Sequence, residues 1–149
     1  MSDHIHKRHN KNVLLYHIVC PIKYRKAVLT LPREETLKET CAAIAKRFGI
    51  HFVEIGADED HVHFLAQSVP NLLLARMVQI IKSLTAREMF QKHPELKKEL
   101  WGGNFWTSGY YVNTVGQYGN EDVIRNYVKN QGRQYQQIKR DQLNLFAEL

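Results

Sequence analysis

Two histidines, His61 and His63, flank a valine at the head of an apolar run, HVHFLAQS. On a strand, residues i and i+2 point to the same face, about 6–7 Å apart along the chain. A strand here would therefore aim two imidazoles at one metal ion and turn Val62 and Phe64 the other way. The pair follows Asp58, Glu59 and Asp60, where a cation would be welcome. Asp60 is placed to orient the neighbouring imidazole, although an ordinary turn role explains it as well. The His-x-His spacing alone is weak evidence, because incidental pairs share it. His4 and His6 have the same spacing but sit in a polar tail with no rigid frame.

A second constellation is Tyr127 with Gln131. Four residues apart on a helix, they share one face. A phenol beside an amide oxygen can act as a nucleophile beside a metal ligand. With a pKa of about 10, the phenol would need a metal-polarised phosphate or a nearby base. Tyrosine on an amphipathic helix is also a common core residue, whereas a buried glutamine needs partners.

Cations and aromatics supply the third signal. Arg76, Gln79, Lys82, Ser83 and Arg87 lie on the polar side of one expected helix, and Trp101, Phe105, Trp106, Tyr110 and Tyr111 follow it. Aromatics beside positive charge can stack unpaired bases; a solvated helix face and ordinary packing are the plainer explanations. The 149 residues carry 21 Lys+Arg against 15 Asp+Glu, a net +6. Residues 1–50 hold 10 basic and 4 acidic groups, and residues 51–149 hold 11 of each. The whole excess is thus in the first third, chiefly Lys7, Arg8, Lys11, Lys23, Arg25 and Lys26. That imbalance suits a polyanionic partner. The length fits one domain, and the composition excludes collagen-like and disordered classes. No stretch reads as a membrane span or a secretory leader. Cys20 and Cys41 read as buried free thiols of a reducing cytoplasm. No GxxxxGK[ST] loop occurs, which fits a chemistry that needs no nucleotide cofactor.

The elements that must position these groups follow from periodicity and punctuation. Residues 1–12 read as a basic tail. A strand is expected over 13–20, ended by Pro21, and a helix over 31–48 with Gly49 at its C′ position. Leu37, Cys41, Ile44 and Phe48 form its apolar stripe. Strands over 50–56 and 61–68 make a hairpin across the acidic turn 57–60. A second helix opens at 70–71, with Asn71 as N-cap, and runs to about 91. A fourth strand covers 110–115, and Gly116 and Gly119 flank a joint. A last helix over 120–132 carries Tyr127 and Gln131, followed by a polar tail over 133–149. The order βαββαβ predicts an α+β, ferredoxin-like fold: a four-stranded antiparallel sheet, a core over 13–115, helices on one face and the other face open.

The YHIVCPIKYRKAVL opening, the DHVHFLAQS strand, the IIKSLTAREMF helix, the YYVNTVG segment and the IRNYVKNQ helix resemble, in this order, one family. It is the HUH-class single-tyrosine transposases, the TnpA-type enzymes of the smallest insertion sequences. The resemblance covers nearly the whole chain. It implies that His61 and His63 are a metal-binding pair, Gln131 a third ligand and Tyr127 the nucleophile. It implies Mg²⁺ or Mn²⁺, imidazole being the better match to Mn²⁺. It also implies single-stranded DNA with hairpin ends as substrate, a 5′-phosphotyrosine intermediate, and a homodimer in which the tyrosine helix can complete the partner's site. The basic first third, Lys82 and Arg87 are the expected hairpin contacts. Two other readings stay open: a non-catalytic single-stranded nucleic-acid-binding module, and a domesticated relative that still cuts hairpins.

Overall fold

A computed structural model describes residues 14–116. Strand β1 (Leu15–Pro21) lies between β3 (His61–Gln67) and β4 (Tyr111–Gly116), and β2 (Phe52–Ala57) pairs with the outer side of β3. All pairings are antiparallel, in the order β2-β3-β1-β4. Helices α1 (Leu31–Phe48) and α2 (Leu74–Lys92) pack on one face. This is the expected α+β arrangement.

Strand alternation explains the layers. Ile18 and Cys20 of β1 and Val62, Phe64 and Ala66 of β3 meet Leu37, Cys41 and Ile44 of α1 and Met77, Val78 and Ile81 of α2 in one core. The intervening residues point the other way, where Leu15 and Leu65 pack with Val53. That second face is not open, contrary to expectation: Leu15, His17, Val19, His61, Leu65 and Gln67 are each 3% exposed or less.

Helix α1 has the expected bounds. Pro32 lies in its first turn, where a missing N–H does no harm, and Gly49 closes it at φ 69° in the left-handed region. Helix α2 departs from expectation. Asn71 does not cap it; at φ 67° it sits in a turn closed by a Val69–Leu72 bridge, and Leu73 holds the cap position without a side-chain bond. Asparagine tolerates that left-handed turn. Pro21 stays inside β1 because its carbonyl accepts from Thr107 N–H (3.0 Å), and the next N–H, of Ile22, bonds Asp60 O (2.9 Å).

Residues 95–109 hold a short helix, α3 (Leu96–Glu99), and a tight turn, Trp101–Gly103. Arg33 ties them to the start of α1. Its guanidinium grips Glu99 through two bonds (2.6 and 3.2 Å), reaches Glu95 at 3.3 Å, and donates to Val28 O at 2.8 Å. Phe105 and Trp106, read from sequence as stacking candidates, are instead core: the Trp106 indole N–H donates to buried Thr85 at 2.9 Å. No helix among the described residues is long and apolar enough to cross a membrane. The segments 1–12, 120–132 and 133–149 lie outside the described residues.

Cys20 and Cys41 are free and buried, as expected. Burial pushes both thiols up to about 12. The folded chain then holds two protons that the unfolded chain releases near pH 9, so stability is lost as pH rises from about 9 to 12. A thiol reagent at pH 8 should label neither cysteine until denaturant unfolds the chain. The urea midpoint should fall from pH 8 to 11, and fall less steeply in a Cys20→Ala, Cys41→Ala variant.

Candidate active site

His61 and His63 stand on the face of β3 opposite the helices, as their spacing predicts. His61 pairs across the sheet with Pro21, and His63 sits between Val19 of β1 and Gly56 of β2. The Nδ1 of His61 lies 2.8 Å from Asp60 Oδ1. The other Asp60 oxygen accepts from Arg25 at 3.2 Å. Burial pushes the Asp60 carboxyl up, but its hydrogen bond with His61 and the charges of His61 and Arg25 outweigh that and hold it below its ordinary value. The Asp60 carboxylate makes Nδ1 the donor of that bond and so fixes the orientation of the His61 ring. Nε2 is buried and makes no hydrogen bond; Asp58 Oδ2 approaches it to 3.2 Å, within ion-pair range but outside hydrogen-bond geometry.

His63 is shaped by a glycine that the sequence reading passed over. A Cβ on Gly56 would collide with Nε2 and Cε1 of the His63 ring. Gly56 has no left-handed φ, so its lack of a side chain, not its backbone freedom, is what the ring requires. The available signal was a glycine within a strand, which often marks a close approach. On the other side His17 meets the ring edge-on, centroids 5.7 Å apart and planes at 80°. Burial first, then the charges of His61 and Lys38, hold His63 down to about 4 against the opposite pull of Asp58. Near neutral pH it is a neutral imidazole with a lone pair, the form that can ligate a metal.

The pair therefore suits a divalent ion in two respects: a ring orientation fixed by Asp60 at His61 and a neutral ring at His63. Among the described residues no third His, Cys, Asp or Glu completes a metal cluster, so further donors would have to come from elsewhere. Gln131, Tyr127 and Gly119 lie outside the described residues, as do Lys7, Arg8 and Lys11. Gly116 is the last residue of β4, paired with Leu15 where the register shifts.

Several cations expected to face a polyanion have other partners. Arg25 is engaged with Asp60. Lys82 donates to the carbonyls of Thr107 and Gly109, both at 2.9 Å, and so ties the loop before β4 to α2. Lys26 donates to Glu99 O at 2.9 Å. Arg76 bonds Gln79, and the Ser83 hydroxyl bonds back to Gln79 O. Arg87 is exposed and lines a groove with Arg47 and Lys92, away from the histidine face.

The Gly56–His63 contact has a direct readout. In EDTA-treated protein, the His63 ring signals should titrate near about 4. In Gly56→Ala the ring must leave its buried seat, so its midpoint should rise toward 6.5. An unchanged midpoint would show that the glycine does not set the ring's position.

The chain matches the family described as "Transposase IS200 like" over residues 10–131. It is 34% identical over 118 residues to the ISDra2 transposase TnpA of Deinococcus radiodurans, covering 79% of this chain and 84% of that one. It is 25% identical over 131 residues to the transposase for insertion sequence element IS200 of Salmonella typhimurium, covering 88% and 85%. A crystal structure of a candidate transposase from Deinococcus radiodurans superposes with a TM-score of 0.69 at 33% identity, covering 86% of this chain and 98% of that one. The strand that presents His61 and His63 thus belongs to a member of the IS200-like transposase family.

Proposed function

We propose that this transposase cuts and rejoins single-stranded DNA at the ends of an insertion sequence, with Tyr127 as nucleophile. The observation that carries this reading is the prepared imidazole pair: His61 held by Asp60, and His63 neutral over Gly56. With Gln131 they would hold Mg²⁺ or Mn²⁺, which supplies charge neutralisation at a phosphate oxygen. Asp60 and Arg25 keep His61 aimed, and His17 and Gly56 keep His63 aimed.

The Tyr127 phenol loses its proton and forms an O–P bond to the scissile phosphate. The P–O3′ bond breaks, and the departing 3′ oxygen takes up a proton. A 5′-phosphotyrosine and a free 3′-OH result. Attack by a 3′-OH on that linkage reverses the chemistry, remakes a phosphodiester and restores the phenol. No bond energy is lost, so no nucleotide cofactor is needed. Hairpins at the element ends are the recognised DNA. Two ends call for two sites, hence a homodimer, with Gly116 and Gly119 as the joint that lets the tyrosine helix serve either site. The buried free thiols and the DNA substrate suit the cytoplasm.

Trapping with labelled single-stranded hairpin DNA tests the reading. Wild type should form a covalent adduct that survives denaturation. Tyr127→Phe should form none and keep its hairpin affinity. His63→Ala should form at least about 100-fold less adduct, the scale of a lost catalytic group. A Tyr127→Phe protein that still cuts would overturn the nucleophile. Undiminished cutting in EDTA would overturn the metal, and tight binding without any adduct would leave a binding module.

A further inference from the structure

The turn between β1 and α1 places two consecutive non-glycine residues in the left-handed region, Tyr24 at φ 58° and Arg25 at φ 50°. Such backbone persists only where the surroundings over-determine it, and here they do. Lys23 N–H donates to Phe105 O (2.9 Å), Thr107 N–H to Pro21 O (3.0 Å) and the Thr107 hydroxyl to Ile22 O (3.1 Å), while Ile22 and Trp106 form a bridge. The strained pair sends its side chains in different directions. Arg25 goes to Asp60, which holds the catalytic-face His61. Tyr24 goes to solvent and is 61% exposed.

The segment stitched to this turn carries Trp101, 71% exposed. These are the only large aromatic side chains so exposed among the described residues. Each has a lysine ammonium at its ring: Lys23 lies 5.3 Å from the Tyr24 centroid and Lys26 lies 6.0 Å from that of Trp101. Lys26 is steadied there by Glu99 O. From Lys23 the surface opens into a groove of about 510 Å³ with Gln79, Ser83, Asn104 and Thr107 in its lining. Apolar partners would leave the two ammonium groups desolvated without counter-charge. Alternating π faces and cations complement a polyanion that itself carries flat rings.

We infer that Tyr24 and Trp101, flanked by Lys23 and Lys26, form a stacking platform for unpaired bases of the DNA strand led to the histidine site. The inference rests on the proposed action on single-stranded DNA. It adds the surface that holds the strand, and it links that surface to the site through Arg25 and Asp60.

The full chain, in EDTA, is titrated with a labelled unstructured oligothymidylate and with an abasic strand of equal length. Tyr24→Ala and Trp101→Ala should each weaken oligothymidylate binding about tenfold, the scale of one lost base–aromatic stack. Tyr24→Phe and Trp101→Phe should restore most of it. The alanine changes should not alter abasic-strand binding, and oligothymidylate should quench tryptophan fluorescence in wild type and far less in Trp101→Phe. Both residues are exposed, so circular dichroism should show native folds. Unchanged oligothymidylate affinity in the alanine variants, or equal losses on the abasic strand, would overturn the platform. A loss of self-association with unchanged DNA affinity would assign the patch to a second copy instead. Adduct formation at saturating DNA separates the two readings. Alanine variants that bind normally yet form the adduct sink only the platform, and a wild type that stacks bases but forms no adduct sinks only the cutting.

Discussion

Everything at the candidate site depends on the register of β3 between β1 and β2. Side chains alternate with period two, so a slip of one residue would turn His61 and His63 into the core and Val62 and Phe64 out of it. The slip is opposed on the core side by Phe64 and Val62, both fully buried. It is opposed at the strand's head by Ile22 N–H on Asp60 O and Leu29 N–H on Glu59 O, which fasten the β2–β3 turn to the segment after β1. The register is specified by the difference between the faces: Val62, Phe64 and Ala66 are all apolar, whereas the other face carries His61, His63 and Gln67.

The same fastening joins stability to chemistry. The β2–β3 turn carries Asp58, Glu59 and Asp60, three carboxylates that repel one another. Arg25 and His61 bond the Asp60 carboxylate, and the backbone bonds hold the turn in place. Asp60 is thus both a turn residue and the holder of an imidazole, so the two readings of it from sequence are not alternatives. Gly56 works in the opposite sense, by absence: only a residue without a side chain leaves room for the His63 ring.

Charge behaves differently from its sum. A net +6 points to a polyanion, yet Arg33, Lys82 and Arg25 are among the best-bonded side chains described. Arg33 and Lys82 hold loops to helices, as long cationic side chains can when carbonyls or carboxylates converge on their heads. Tyr24 and Trp101, by contrast, stay outside with lysines at their rings, whereas Phe105 and Trp106 of the same aromatic run are core.

Local rules were enough for much of this. Helix α1 is legible residue for residue from Pro32, its apolar stripe and Gly49. The hairpin, the shared face of His61 and His63, and the βαββαβ order follow from spacing alone, because periodicity is a property of neighbours along the chain. Long-range partners are not. That Lys82 ties down a loop, that Trp106 is core while Trp101 is exposed, and that Gly56 makes room for His63 each depend on a residue brought near from elsewhere in the chain. The sequence by itself determined which faces could exist and that one of them carries a pair of histidines. Only the tertiary structure decided which neighbours meet there, since close packing and hydrogen-bond satisfaction are settled in space.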